Sequence, residues 1–103
     1  MAFRVRRGDA SGGSDLGSRF AEWGLEPRTW STPPGHTFGW HDHPFHKVLF
    51  CVRGSITFLG GESDDIELRP GDRLDIDPQT RHAATTGPEG VECTEAFAPG
   101  GPP

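Results

Sequence analysis

With 103 residues the chain is long enough for one domain and too short for two. A formal charge of −5 at pH 7 leaves no basic surface of the kind a nucleic-acid backbone needs, and the Arg4, Arg6 and Arg7 cluster reads as a solvated N-terminal arm. No apolar run approaches the roughly 18 residues of a membrane span and no hydrophobic stretch follows the first arginines, so a soluble cytoplasmic protein without nucleic-acid or membrane partners is expected.

Residues 1–27 read as an arm with one short helix. Ser14 and Asp15 offer an N-cap, Leu16, Phe20 and Trp23 recur at helical spacing, and Gly24 suits the position just past the end. From Arg28 the texture changes to short β-type runs: Arg28 to Thr32, Thr37 to His41, Lys47 to Arg53, Ser55 to Leu59, Ile66 to Leu68, Arg73 to Ile76, His82 to Thr86 and Val91 to Phe97. Much of the glycine and proline falls between these runs, as turns do. Arg53-Gly54 and Leu59-Gly60-Gly61-Glu62 look like hairpin connections, and Arg69-Pro70-Gly71-Asp72 like a tight turn. The pattern predicts an all-β fold, an antiparallel sandwich or jelly-roll barrel of about eight strands over residues 28–98, with residues 99–103 as a flexible tail.

Val48 to Val52 is apolar at consecutive positions, so both faces of that strand need cover. One face fills the barrel; the other needs the segment around Phe20 and Trp23, or a partner chain, and a homodimer is expected. Cys51 and Cys93 lie in strand-like sequence, where a free thiol is a small buried apolar group, consistent with a reducing compartment.

Four of the five histidines, His36, His41, His43 and His46, crowd into eleven residues, and His82 follows the Pro70-Gly71-Asp72 turn. Strand residues two apart share a face, so His41 and His43 can present two imidazoles to one point. Sites of two or three histidines with open positions suit iron, zinc, nickel, manganese or copper. His82 is the natural third donor.

The chain runs Gly35, five residues, His41-Asp42-His43, then ten residues to Gly54, and later Pro70-Gly71-Asp72, a strand, and Asp77-Pro78-Gln79-Thr80-Arg81-His82. In spacing and order these stretches resemble the two signatures of the cupin superfamily and cover about half the chain. The resemblance implies a small single-domain cupin-type jelly-roll β-barrel with one divalent transition metal on His41, His43 and His82. Lys47 stands where the family's fourth ligand, a glutamate, is found, and an ammonium does not ligate a cation. Thr86 stands for an asparagine, and Asp77 and Gln79 for a proline and a glycine.

Three neutral ligands leave the ion's charge uncompensated, which favours an anionic or chelating compound. Three-histidine cupins resemble thiol dioxygenases and diketone-cleaving dioxygenases, although a chain without tyrosine has no cysteine–tyrosine crosslink. The expected activity is that of a dioxygenase or other oxidoreductase on a small anionic or carbonyl compound; the alternative is a non-catalytic sensor or storage cupin that binds a small molecule. Trp40 and Phe45 flank the histidines and are expected to touch the ligand. For the lost glutamate, His46 is expected as a fourth donor, because a bulge after Pro44 turns it inward with Val48, Phe50 and Val52. The competing arrangement keeps Lys47 inside, near an anionic substrate.

Overall fold

The computed structural model describes residues 3–10, 15–60 and 65–103. Its elements are β1 (Phe3–Arg6), α1 (Leu16–Glu22), β2 (Arg28–Thr32), β3 (Thr37–His41), β4 (His46–Leu59), β5 (Ile66–Leu68), β6 (Arg73–Ile76) and β7 (His82–Ala98). The strands join one antiparallel system in the order β1-β6-β4-β7-β2, with β3 also on β7 and β5 also on β4.

The long strands β4 and β7 make this a jelly roll. Each spans two of the expected runs, so the Arg53-Gly54 hairpin is corrected to a bend inside one strand. One half of the ladder pairs His46 to Cys51 with Ala98 to Cys93, and the other pairs Ile56 to Leu59 with Thr86 to Ala83. Between them residues 87–90 loop out opposite Ser55. Gly54 and Gly90 take φ of 77° and 81°, which glycine adopts without steric cost. A Cβ on Gly54 would stand 2.0 Å from the Gly90 carbonyl oxygen, so the two backbones cross where no side chain fits. The expected turn at Leu59 to Glu62 reaches past the described residues.

The N-terminal arm is corrected in part. Arg4 and Arg7 are half-exposed, but Phe3 to Arg6 form a further strand beyond the eight expected runs, which pairs with β6 and puts Phe3 in the barrel core. Arg4 meets Asp77 at 2.9 Å and Arg7 meets Asp72 at 2.8 Å, so the basic cluster fastens this strand to acidic turns. Charge pattern alone hid the strand.

Alternation along β4 divides the core in two. Leu49 and Cys51 face the barrel interior with Ile56, Phe58, Leu68, Leu74, Ile76, Val91 and Cys93. Val48 and Phe50 face outward and are covered by α1, whose Phe20 is fully buried against them. Asp15 caps that helix by accepting the Ser18 N–H at 3.2 Å, while Ser14 lies outside the described residues. Trp23 stacks on Phe50 at 6.4 Å, so the outer face of β4 is closed over Val48 and Phe50 within the chain.

Candidate metal centre

His41 ends β3 and His82 opens β7, and the two are direct partners in the β3–β7 ladder. His43 lies in the short connection to β4. Its carbonyl accepts the Gln79 N–H at 2.7 Å, which fastens the connection to the turn before His82. Gln79 takes φ of 61°, a conformation that favours glycine, and holds it where the family pattern places one. The two sequence signatures thus meet through a backbone bond.

The three imidazole centroids are 4.4 Å (His41–His82), 4.8 Å (His41–His43) and 5.1 Å (His43–His82) apart. One nitrogen from each lies within 4.8 Å of the others. His41 donates Nδ1–H to the Gly39 carbonyl at 2.6 Å, and His82 donates Nδ1–H to the Thr80 carbonyl at 2.8 Å. A carbonyl only accepts, so both rings are fixed as the tautomer whose Nε2 lone pair is free. His43 Nε2 is buried and has no hydrogen-bond partner. A buried polar atom without a partner is costly, and here it points to a ligand.

The electrostatics keep two of these donors, His43 and His82, neutral. Burial, then the charges of Lys47, His82 and His41, push His43 down to about 4, and burial also lowers His82. Metal ligation requires neutral imidazole, so the donor set fits a divalent ion.

The structure does not bring His46 to this group. No bulge follows Pro44: β4 pairs with β7 in unbroken register from His46 opposite Ala98, which turns His46 outward with Val48 and Phe50. There it is fully buried, with Nε2 2.8 Å from Asp75 and Nδ1 3.6 Å from Asp77. Asp75 is shared with Arg73, whose guanidinium is buried over the Trp23 ring at 5.0 Å. His46 therefore serves a charge network beneath α1.

Lys47 takes the inward position. Its ammonium lies 3.3 Å from Glu95 and 5.2 Å from the centre of the Phe97 ring, which is itself 5.3 Å from that of His43. Phe45 packs on Phe97 at 6.3 Å and reaches the site through it. Trp40 is turned away, as the neighbour of an inward strand residue is: it is 46% exposed and its ring meets Arg81 at 5.9 Å. His36 packs on Phe38 at 4.7 Å, outside the cluster.

Glu95 and Phe3 escaped sequence reasoning. Glu95 interrupts the inward series Val91, Cys93, Glu95 and Phe97, and an acid within such a series is the signal that marks it. It is buried against Lys47 and against Arg28, whose Nε is 3.6 Å away. Phe3 and Phe58 lie 6.1 Å and 6.3 Å from the His82 ring and form the apolar floor under it.

Residues 28–97 match the family described as Cupin domain. The chain belongs to the cupin family. This cupin is 27% identical over 63 residues to a 3-hydroxyanthranilate 3,4-dioxygenase of Burkholderia lata, a match that takes in 58% of this chain and 36% of that enzyme. It thus spans little more than a third of that curated relative. Among solved structures it is similar to an uncharacterized conserved protein with a double-stranded β-helix domain from Klebsiella pneumoniae (TM-score 0.63, 26% identity, 72% of this cupin and 66% of that chain). It is also similar to a structure from a study of DMSP lyases, with TM-score 0.68 and 25% identity over 75% of this cupin and 40% of that chain. No helix among the described residues is long and apolar enough to cross a membrane.

Proposed function

We propose that this cupin holds one divalent transition metal through Nε2 of His41, His43 and His82, and that a small anionic or carbonyl compound binds beside it. The observation that carries this reading is the buried, partnerless Nε2 of His43 next to two imidazoles whose Nδ1–H groups are fixed on backbone carbonyls. Iron, zinc, nickel, manganese and copper all suit three imidazoles. A bound ion would supply Lewis-acid polarisation of a ligand oxygen.

The chain's own residues give the compound its character. Lys47 and Arg28 share the single carboxylate of Glu95, so the trio keeps one positive charge in excess beside metal ligands that are neutral, which favours an anion. Phe97 and Phe45 offer an apolar wall on the same side. The name of the Burkholderia relative suggests an aromatic carboxylate as a trial ligand, its carboxylate toward Lys47 and its ring against Phe97. A dioxygenase or other oxidoreductase is the enzymatic form of this reading. The non-catalytic form has its own support, because Glu95, a buried acidic group beside the site, is engaged by both Lys47 and Arg28.

Cobalt(II) titration followed by visible absorption tests both halves. Uptake should saturate at one equivalent and be lost in His82→Ala. Benzoate should perturb the cobalt bands of wild type, and Lys47→Met should keep the cobalt but bind benzoate at least about tenfold more weakly, since a hydrogen bond to a charged group contributes roughly 1.5–3 kcal/mol. Equal uptake by wild type and His82→Ala removes the metal; equal benzoate affinity removes Lys47 from the ligand site.

A further inference from the structure

Cys51 and Cys93 are nucleophilic groups that the proposed metal chemistry does not use. They are direct partners in the β4–β7 ladder, both are buried, and both face the barrel interior. In an antiparallel pair, opposed residues face each other across two mutual hydrogen bonds or across none. Cys51 donates its N–H to the Asp72 carbonyl at 3.0 Å and accepts the Gly71 N–H at 2.9 Å, so both of its backbone bonds run away from β7. It therefore meets Cys93 at a non-hydrogen-bonded position, where Cα separations are about 4.5 Å and side chains come closest. Disulfides span Cα separations of roughly 4.4–6.8 Å, so a bond here needs side-chain rotation and little strand movement.

We infer that Cys51 and Cys93 form a site of reversible covalent modification, closing to an intramolecular disulfide in the presence of a peroxide. The site is independent of the metal reading. A hydrogen bond from Cys93 holds the Cys51 thiol below its ordinary range, and the same bond, with burial, pushes Cys93 up. Cys51 is thus the attacking sulfur. Its thiolate attacks one peroxide oxygen, the O–O bond breaks, and hydroxide leaves and takes up the proton released by Cys51. Cys93 then attacks the resulting sulfenic acid; its proton and the sulfenic hydroxyl leave as a second water. Two thiols are oxidised by two electrons and one peroxide is reduced to two waters. The Cys51 sulfur lies 3.6 Å from the Gly54 carbonyl at the strand bend, where an open cleft of about 410 Å³ lined by Arg53, Gly54, Gly90 and Val91 brings solvent near.

The test is intact-mass analysis and peptide mapping of the wild-type protein after brief treatment with a few equivalents of hydrogen peroxide, with and without a metal chelator. The expected product has lost two hydrogens, links the Cys51 and Cys93 peptides within one chain, and returns to the dithiol on reduction. Its thermal midpoint should rise by several degrees, because the crosslink constrains the unfolded chain. Two persisting thiols, oxygen adducts without a crosslink, or disulfides only between chains would overturn the inference. So would a crosslink that forms only without chelator. The wild-type protein carries the readout, so no variant has to fold.

Discussion

At the residue scale, two of the three histidines of the site are kept uncharged. His43 is pushed down to about 4 and His82 is also lowered, both first by burial. In the metal-free protein these groups resist protons that the unfolded chain accepts from pH 6.5 downward. Stability is therefore unaffected above pH 6.5 and lost as pH falls from there toward 4. Asp72 and Asp75 are lowered as well, so they titrate below this window. We predict that the thermal midpoint of chelator-treated protein declines between pH 7 and 5 and that His43→Ala flattens part of that decline; an identical slope in the two proteins would contradict it. His41, His43 and His82 were legible in the sequence because two of them share a strand-like spacing and the third follows a recognisable turn. The choice between His46 and Lys47 was not legible. It depends on where β4 enters its ladder with β7, and the residues that fix the register, Phe97 and Ala98, lie about fifty positions away.

At the element scale, the bend shared by β4 and β7 brings the two halves of the barrel together. Sequence reading took Arg53-Gly54 for a hairpin and divided each long strand into two runs. Gly54 instead lets two backbones cross within one long ladder, a contact between distant residues that local turn chemistry does not reveal. Gly54→Ala meets both a positive φ and the Gly90 carbonyl oxygen. It should destabilise the protein by about 2–5 kcal/mol, adding roughly 1–2 for the left-handed conformation to 1–3 for overpacking. Denaturant unfolding checks this, and a loss under about 0.5 kcal/mol would show that the crossing is loose. β1 was missed for a different reason: three arginines masked a strand in which Phe3 is buried and Val5 is left exposed.

At the scale of the whole molecule, α1 closes the outer face of β4 that gave one reason to expect a second chain. Strand composition and helical spacing, both visible in the sequence, named the face and two covers for it, the segment around Phe20 and Trp23 or a partner chain, but placing α1 over Val48 and Phe50 required the tertiary structure. The homodimer is kept as a proposal. Val52, Phe97 and Trp40 leave large apolar side chains exposed, and light scattering at tens of micromolar should show twice the chain mass. A strictly monomeric mass removes the partner and leaves α1 as the sole cover.

Elemental analysis of protein purified from metal-supplemented cells reads out whether His41, His43 and His82 form a metal centre. Wild type should carry one divalent transition metal per chain, and the His41→Ala/His43→Ala double variant, if folded by circular dichroism, less than about a tenth of that, since losing even a group that only orients a ligand typically costs about 10–100-fold in affinity. Equally little metal in both proteins, or equal metal in both, would mean that these histidines hold no ion.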